Sequence, residues 1–215
     1  MRNRGGRLVI ARSLVHARWF DHVNAVNPPS EMRHWLIGRI SLTVKLIACS
    51  RRFRVQRIRQ SRGVSLADEY RAVRLPRRIQ VYEREVLLRC DERPVVYAHT
   101  IVPLAANASD WPFFNALGER SLGTTLFGDP SVKRGALQFA RLYPDHPLVR
   151  RACEALGVDS VGCPLYARRC LFQRKNGVLL VTEVFLPAIA DTGSSEKMSG
   201  ENSTVAQVLS TETAS

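Results

Sequence analysis

The chain has 215 residues, a length that fits one domain with additional terminal segments. Hydrophobic residues make up 45% of it and charged residues 24%, which provides for a globular core and excludes a chain that is disordered throughout. The net charge is +13, and residues 1–78 carry all of the excess, with 18 Lys or Arg against four acidic residues. A basic segment of this kind attracts nucleic acids, anionic lipids or small dianions. The alternative is an arginine-rich face that is exposed to solvent and binds no partner.

The cysteine count and the apolar runs restrict the cellular setting. Five cysteines, with no C-x-x-C pair, argue against a disulfide framework and a zinc site, so we expect reduced thiols and a cytoplasmic protein. No apolar run approaches the ~20 residues of a membrane-spanning helix, and the run at 8–11 is too short for a secretory signal. An organelle-targeting segment is compatible with the Arg-rich N-terminus. A monomer is expected.

The first third of the chain is basic and only weakly patterned. Residues 1–34 are predicted to form a basic N-terminal extension, and a helix is predicted from Trp35. Ser41 is in position to cap a following short helix. Residues 51–62 contain six Arg and alternate roughly with period two, which predicts an exposed strand.

Four later segments have clear strand patterning and fall into two pairs. A turn-rich stretch divides the first pair, and Asn176-Gly177, a strong hairpin signal, divides the second. Two β-hairpins are therefore predicted. Their strands are residues 79–88 with 95–102, and residues 165–174 with 178–186.

The segments between the hairpins are predicted to be helical. Residues 112–127 have a break at Leu117-Gly118, after which Ser121 is predicted to cap a second helix. Residues 131–157 are predicted to be helical in pieces, because Pro144 and Pro147 interrupt them.

The predicted fold class is α+β, with a single antiparallel β-sheet and helices packed on one side. After Pro187 the composition shifts to Ser, Thr, Glu and Gly, so residues 191–215 are predicted to be a disordered tail. The folded domain would then span residues 35–190.

Two charged residues interrupt apolar strand faces. Arg84 shares one face of its strand with Tyr82, Val86 and Leu88, and Glu183 lies in the most apolar stretch of the chain. Buried charges are costly unless they are paired, so one interpretation is that the two residues bridge each other or meet other partners. The other is an apolar pocket in which Arg84 binds a carboxylate and a desolvated, neutral Glu183 donates a hydrogen bond.

Two short segments, Ser41-Leu42-Thr43 and Ser121-Leu122-Gly123-Thr124, each place Ser before a predicted helix. Free N–H groups at helix N-termini bind carboxylates. Ordinary N-capping explains the same pattern.

Several stretches of the chain resemble the chorismate pyruvate-lyase family, in that family's order and with similar spacing. Each stretch is weak alone, and four in order are fairly specific. The resemblance covers roughly residues 35–188, and Ala167-Arg168-Arg169 also fits it. The stretches are Tyr82-Glu83-Arg84-Glu85-Val86-Leu87-Leu88, Thr100-Ile101-Val102-Pro103, Leu117-Gly118-x-x-Ser121-Leu122-Gly123-x-x-Leu126-Phe127 and Leu179-Leu180-Val181-Thr182-Glu183-Val184-Phe185-Leu186-Pro187.

The resemblance implies a lyase that converts chorismate to 4-hydroxybenzoate and pyruvate, the first committed step of ubiquinone biosynthesis. It implies that Arg84 binds the substrate carboxylate and that Glu183 contacts the ring hydroxyl, both as catalytic residues. It also implies carboxylate binding by the backbone amides of Leu122 and Leu42, the latter where family members can carry Met. Among the departures, His99 stands where an Arg can occur, and the Arg cluster and the tail are unlike the family.

No cofactor and no metal site are expected, because the sequence has no metal-spaced His/Cys cluster and no phosphate-binding glycine loop. One alternative is a non-catalytic small-acid-sensing domain of the same fold. Such domains normally follow a DNA-binding domain, and only about 34 residues without a helix-turn-helix pattern precede the match. A second alternative, nucleic-acid binding by residues 1–78, is disfavoured as the main function because Phe53 is the one aromatic within the Arg cluster.

Overall fold

The computed structural model describes residues 16–38, 40–106 and 110–192. Residues 1–15 of the predicted extension and 193–215 of the predicted tail lie outside the described residues. No helix in the described part of the chain is long and apolar enough to cross a membrane. The helices are α1 (Ser30–Leu36), α2 (Leu42–Ala48), α3 (Leu122–Gly128), α4 (Pro147–Leu156) and α5 (Ile189–Thr192), with 3-10 turns at Val23–Val26 and Phe114–Ala116. The strands are β1 (Phe53–Val64), β2 (Gln80–Cys90), β3 (Arg93–Pro103), β4 (Val132–Leu142), β5 (Leu165–Arg174) and β6 (Gly177–Phe185).

All six strands form one antiparallel sheet in the order β1-β2-β3-β6-β5-β4. Both predicted hairpins are confirmed. Asp91 and Glu92 join β2 to β3 with φ angles of 48° and 65°, the left-handed conformation that a two-residue hairpin turn requires. Lys175, with a φ of 50°, and Asn176 join β5 to β6, so Gly177 begins a strand instead of lying in the turn.

Helices cover both faces of the sheet. Trp35 of α1 and Leu46 of α2 are buried against one face, together with Val86 of β2. The sequence predicted helices on one side only, but α4 packs on the other face through Leu148 and neighbouring residues. The second face of the sheet is also apolar, and α4 removes it from water. The α+β class with a single antiparallel sheet is confirmed.

The segment before residue 35 is part of the folded unit. Phe20 forms a β-bridge with Phe139, with N–H to O distances of 2.9 and 2.8 Å in the two directions. Val23 and Met32 are buried in the same core as the helices of that face. The folded unit therefore begins before residue 35, where the sequence placed its start.

The edge strands show where the predictions succeeded and where they did not. β1 confirms the predicted exposed strand and extends it, and its exposed Arg residues disfavour pairing with another chain. The helical prediction for residues 131–157 is wrong for Val132–Leu142, which forms β4. Pairing along β5 provides backbone hydrogen bonds that the local pattern does not reveal.

Candidate active site

A pocket lies between the sheet and the N-terminal ends of α2 and α3. All four residues named from the sequence, Arg84, Glu183, Leu42 and Leu122, line it. The two charged residues come from strands and the two leucines from the first positions of the helices above the sheet. The fold thus brings distant parts of the chain to one cavity.

The strand register places Arg84 and Glu183 on the same face. Arg84 is opposite Thr100 of β3, and Ala98, two residues earlier, is opposite Glu183 of β6. Directly opposed residues of an antiparallel pair point to the same side of the sheet, and so do residues two apart on one strand. The side chains of Arg84 and Glu183 therefore both point to the pocket face. One strand, β3, lies between them, and among the described residues they form no salt bridge with each other.

Arg84 is a buried cation without a carboxylate partner in the described part of the chain. Its residue exposure is 2%. Nη2 donates to the carbonyl oxygens of Gly118 at 3.0 Å and Arg120 at 3.1 Å, and Nε is buried with no hydrogen-bond partner among the residues described. Burial, assisted by the charge of Arg57, lowers the pKa of Arg84 to about 10, so it remains cationic at neutral pH. An anion in the pocket would satisfy this charge.

Glu183 is ion-paired with a residue other than Arg84, which agrees with one of the two interpretations left open by the sequence. Its carboxylate accepts a hydrogen bond from Nε of Arg168, directly opposite on β5, and its side chain remains 18% exposed. Nη1 of Arg168 donates to the carbonyl oxygens of Trp35 at 3.1 Å and Leu36 at 3.3 Å. Arg168 thus supplies the cationic partner that a carboxylate in an apolar stretch requires.

Sequence reasoning did not assign a role to Arg168, although the Ala167-Arg168-Arg169 motif was noted. A signal was present in the hairpin. Counting back from a two-residue turn at 175–176 places residue 168 opposite residue 183. The correct turn position would therefore have predicted the ion pair.

The helices above the pocket meet through their capping residues. Ser121 accepts a hydrogen bond from the N–H of Thr124 at 3.5 Å, which confirms it as an N-cap, and its hydroxyl lies 2.7 Å from Oγ1 of Thr43. Ser41 precedes α2 but makes no side-chain capping bond. Its buried Oγ has no partner among the described residues and lies at the pocket wall.

Gly123 allows the start of α3 to lie close to the start of α2. A Cβ there would lie 2.8 Å from both Oγ of Ser41 and Oγ1 of Thr43, a distance that requires displacement. Leu42 and Leu122 begin the two helices, and N–H groups in the first turn of a helix have no intrahelical carbonyl partner. Glycine at 123 therefore keeps two donor-rich helix starts close together.

The opposite face of the same strands carries a buried charge network. Nδ1 of His99 lies 3.0 Å from Glu69 and Nε2 lies 3.5 Å from Glu83, while Arg151 of α4 donates to Glu85 at 2.7 Å and Glu83 at 3.3 Å. Burial alone would lower the pKa of His99, but the charge of Glu69 and hydrogen bonds to both glutamates outweigh it and raise the pKa to about 9. Glu83, Glu85 and His99 have the donor atoms of a metal site, yet each already has an ionic partner here.

The sequence comparisons agree with one another. The chorismate lyase family model matches residues 13–194. A protein named probable chorismate pyruvate-lyase from Ralstonia nicotianae is 53% identical over 158 residues, which is 73% of this chain and 81% of that protein. A protein of the same name from Cupriavidus metallidurans is 45% identical over 183 residues, covering 85% of this chain and 86% of the relative.

Among solved structures, the effector domain of PhnF from Mycobacterium smegmatis aligns with a TM-score of 0.49 and 16% identity, over 70% of this chain and 91% of that one. The match of the family model covers most of the chain, and the relatives match over most of their own length. The chain belongs to the chorismate lyase family.

Proposed function

We propose that the protein is a chorismate pyruvate-lyase that converts chorismate to 4-hydroxybenzoate and pyruvate. Membership of the family and the names of its relatives support a lyase acting on chorismate. The observation that carries the proposal is Arg84, a buried guanidinium that faces a largely apolar pocket and has no carboxylate partner among the described residues. A dianionic substrate with a carboxylate on its ring supplies the missing charge.

The reaction needs little chemistry from side chains. Chorismate carries an enolpyruvyl ether on a cyclohexadiene ring. The ring carbon–oxygen bond of the ether breaks, the ring carbon that bears the hydroxyl loses its proton, and the enolpyruvate takes up a proton to become pyruvate. The ring becomes aromatic, which drives the reaction forward, and no oxidant or reductant enters the balance. We therefore assign catalysis to positioning and electrostatics, without a cofactor.

Each site residue has a role in this proposal. The guanidinium of Arg84 and the backbone N–H groups of Leu42 and Leu122 bind carboxylate oxygens. Glu183, held in place by Arg168, accepts a hydrogen bond from the ring hydroxyl and orients the ring. The apolar side chains of the pocket reduce the water around the reacting bond.

The wider setting belongs to the same proposal. We place the enzyme in the cytoplasm as a monomer, with 4-hydroxybenzoate entering ubiquinone biosynthesis. The small-acid-sensing alternative is not favoured, since the matching family model and the closely similar relatives both carry the name of the enzyme. Nucleic-acid binding is not proposed as the main function.

Incubation of the purified protein with chorismate tests the proposal. Chromatography should show 4-hydroxybenzoate and pyruvate forming in equal amounts, at the same rate with and without EDTA. A rate that collapses with EDTA and returns with added metal would contradict the cofactor-free reaction. Saturable binding of an aromatic acid without turnover would favour the sensing domain.

A further inference from the structure

Arg57 lies on the pocket face of β1, next to Arg84. It is opposite Val86 of β2, and both Val86 and Val55, two residues before Arg57, line the pocket. A register shift follows Arg57, and Arg59 beyond it reaches the other face of the sheet. Since residues two apart on a strand share a face, the side chain of Arg57 is on the side of the pocket.

Arg57 differs from Arg54 and Arg59 of the same strand in its partners. Arg54 is paired with Glu92 at 3.0 Å, and Arg59 is paired with Glu83 at 2.7 Å. Arg57 is exposed and forms no salt bridge with any residue that the structure describes. A cation at the edge of the pocket is thus left available to an anion from solution.

Arg57 and Arg84 are close enough to affect each other. Burial is the largest cause of the lowered pKa of Arg84, and the charge of Arg57 is the second. Two guanidinium groups on one face repel each other, with no carboxylate paired to either among the described residues. A ligand with two carboxylates would relieve this repulsion by meeting both groups.

We propose that Arg57 forms a second carboxylate subsite at the rim of the pocket, which makes the site selective for a dicarboxylate. The inference rests on the proposed function and extends it. In chorismate one carboxylate is on the ring and the other on the enolpyruvyl group, which leaves as pyruvate. Arg57 contacts the departing carboxylate and Arg84 the ring carboxylate. The aromatic product therefore keeps its contact with Arg84 and none with Arg57.

Arg57→Gln separates the two contacts. The KM for chorismate should rise about tenfold and kcat should change less than about twofold, the loss expected for one charge-assisted hydrogen bond to the bound substrate. The dissociation constant of 4-hydroxybenzoate, measured by calorimetry, should remain that of the unaltered protein. Arg57 is exposed, so the variant is expected to fold.

Arg54→Gln is the matched control, because it removes the same charge from the same strand on the opposite face, where Arg54 pairs with Glu92. Its KM should stay near that of the unaltered protein. An unchanged KM in Arg57→Gln, an equal rise in both variants, or an equal loss of 4-hydroxybenzoate binding would overturn the subsite.

If the unaltered protein does not turn over chorismate, the proposed function fails, and calorimetric titration with chorismate still decides the subsite. About tenfold weaker binding to Arg57→Gln alone would support it, and equal binding to both proteins would reject it.

Discussion

At the scale of single residues, Arg84 is the strongest test of the site. Arg84→Lys retains the charge but loses the planar guanidinium that can meet two oxygens at once. We expect kcat/KM for chorismate to fall by roughly 100-fold in Arg84→Lys and further in Arg84→Gln, because a buried contact to the reacting anion is lost. Steady-state kinetics measure the loss, and circular dichroism checks that the fold is retained. Activity within a few-fold of the unaltered protein in both variants would remove Arg84 from the mechanism.

Glu183 yields a stability prediction that depends on its ion pair with Arg168. An unpaired charge in an apolar stretch destabilises the fold, and its removal would favour folding. In the structure Glu183→Ala leaves the guanidinium of Arg168, 3% exposed, without its carboxylate. We expect a loss on the order of 3 kcal/mol in urea unfolding.

Glu183→Gln is the control for this variant, since its amide oxygen can still accept from Arg168. It should lose less stability than Glu183→Ala while still weakening 4-hydroxybenzoate binding. A Glu183→Ala protein as stable as the unaltered one would show that the ion pair does not contribute to folding.

The sequence located the charged residues of the site but not all of their partners. Arg84 and Glu183 stood out because they break apolar alternation, a local signal. Arg168 and Arg57 did not, because each acquires its position from pairing with another strand. The bulge after Arg57 changes which side chains share its face, and the sequence pattern does not show a bulge directly.

At the scale of elements, the contact between α2 and α3 determines the top of the pocket. In Gly123→Ala the new Cβ would lie 2.8 Å from two hydroxyl oxygens of the α2 start, so these side chains or the helices must shift. We expect chorismate turnover to fall by about tenfold or more, because small displacements of binding groups are costly. Enzyme kinetics and thermal unfolding measure the effect.

Gly128→Ala, at the end of α3, is the matched control. A Cβ there meets nothing within 4 Å, and alanine favours a helix over glycine. Activity should be unchanged and stability equal or slightly higher. If Gly123→Ala were as active as Gly128→Ala, the close approach of the helices would not matter for the site.

Some secondary-structure elements could be predicted from the sequence and others could not, because only some depend on residues that are adjacent in the chain. The hairpins follow from period-two patterning and turn residues that are adjacent in the chain. β4 has a mixed apolar pattern, and its strand conformation comes from pairing with β5, more than twenty residues later. The segment before residue 35 was also missed, because its contact with Phe139 is distant in sequence.

At the scale of the whole molecule, one sheet separates two charged regions. The pocket is on one face, and the network around His99 lies on the other, where Arg151 links α4 to β2. Residues of the pocket and residues of the network alternate along the same strands, with Glu83 and Glu85 on either side of Arg84. The network therefore fixes the strand segment that presents Arg84 to the pocket.

This network predicts how stability depends on pH. The pKa of His99 is raised from 6.5 to about 9. Its contribution to the free energy of unfolding is therefore complete below about pH 6.5 and is lost as the pH rises through 9. Burial opposes ionisation of Glu83, but its hydrogen bond to His99 and the nearby cations lower its pKa from 4.5 to about 2. The contribution of Glu83 to the free energy of unfolding is therefore lost as the pH falls from 4.5 towards 2. Urea unfolding at pH 6 and pH 9.5 should show a fall of a few kcal/mol on the alkaline side.

His99→Gln is the control for the alkaline effect. It should be less stable at pH 6 and should show a smaller fall between pH 6 and pH 9.5 than the unaltered protein. Parallel pH profiles for the two proteins would show that His99 is not charged in the folded state.

We propose that the pocket between the sheet and the starts of α2 and α3 binds the ring acid in one orientation. A crystal structure with 4-hydroxybenzoate would show this orientation. We expect the carboxylate at Arg84 and the amides of Leu42 and Leu122, with the hydroxyl at Glu183. A product molecule bound in the reverse orientation, or outside this pocket, would show that these residues do not hold the ring acid as proposed.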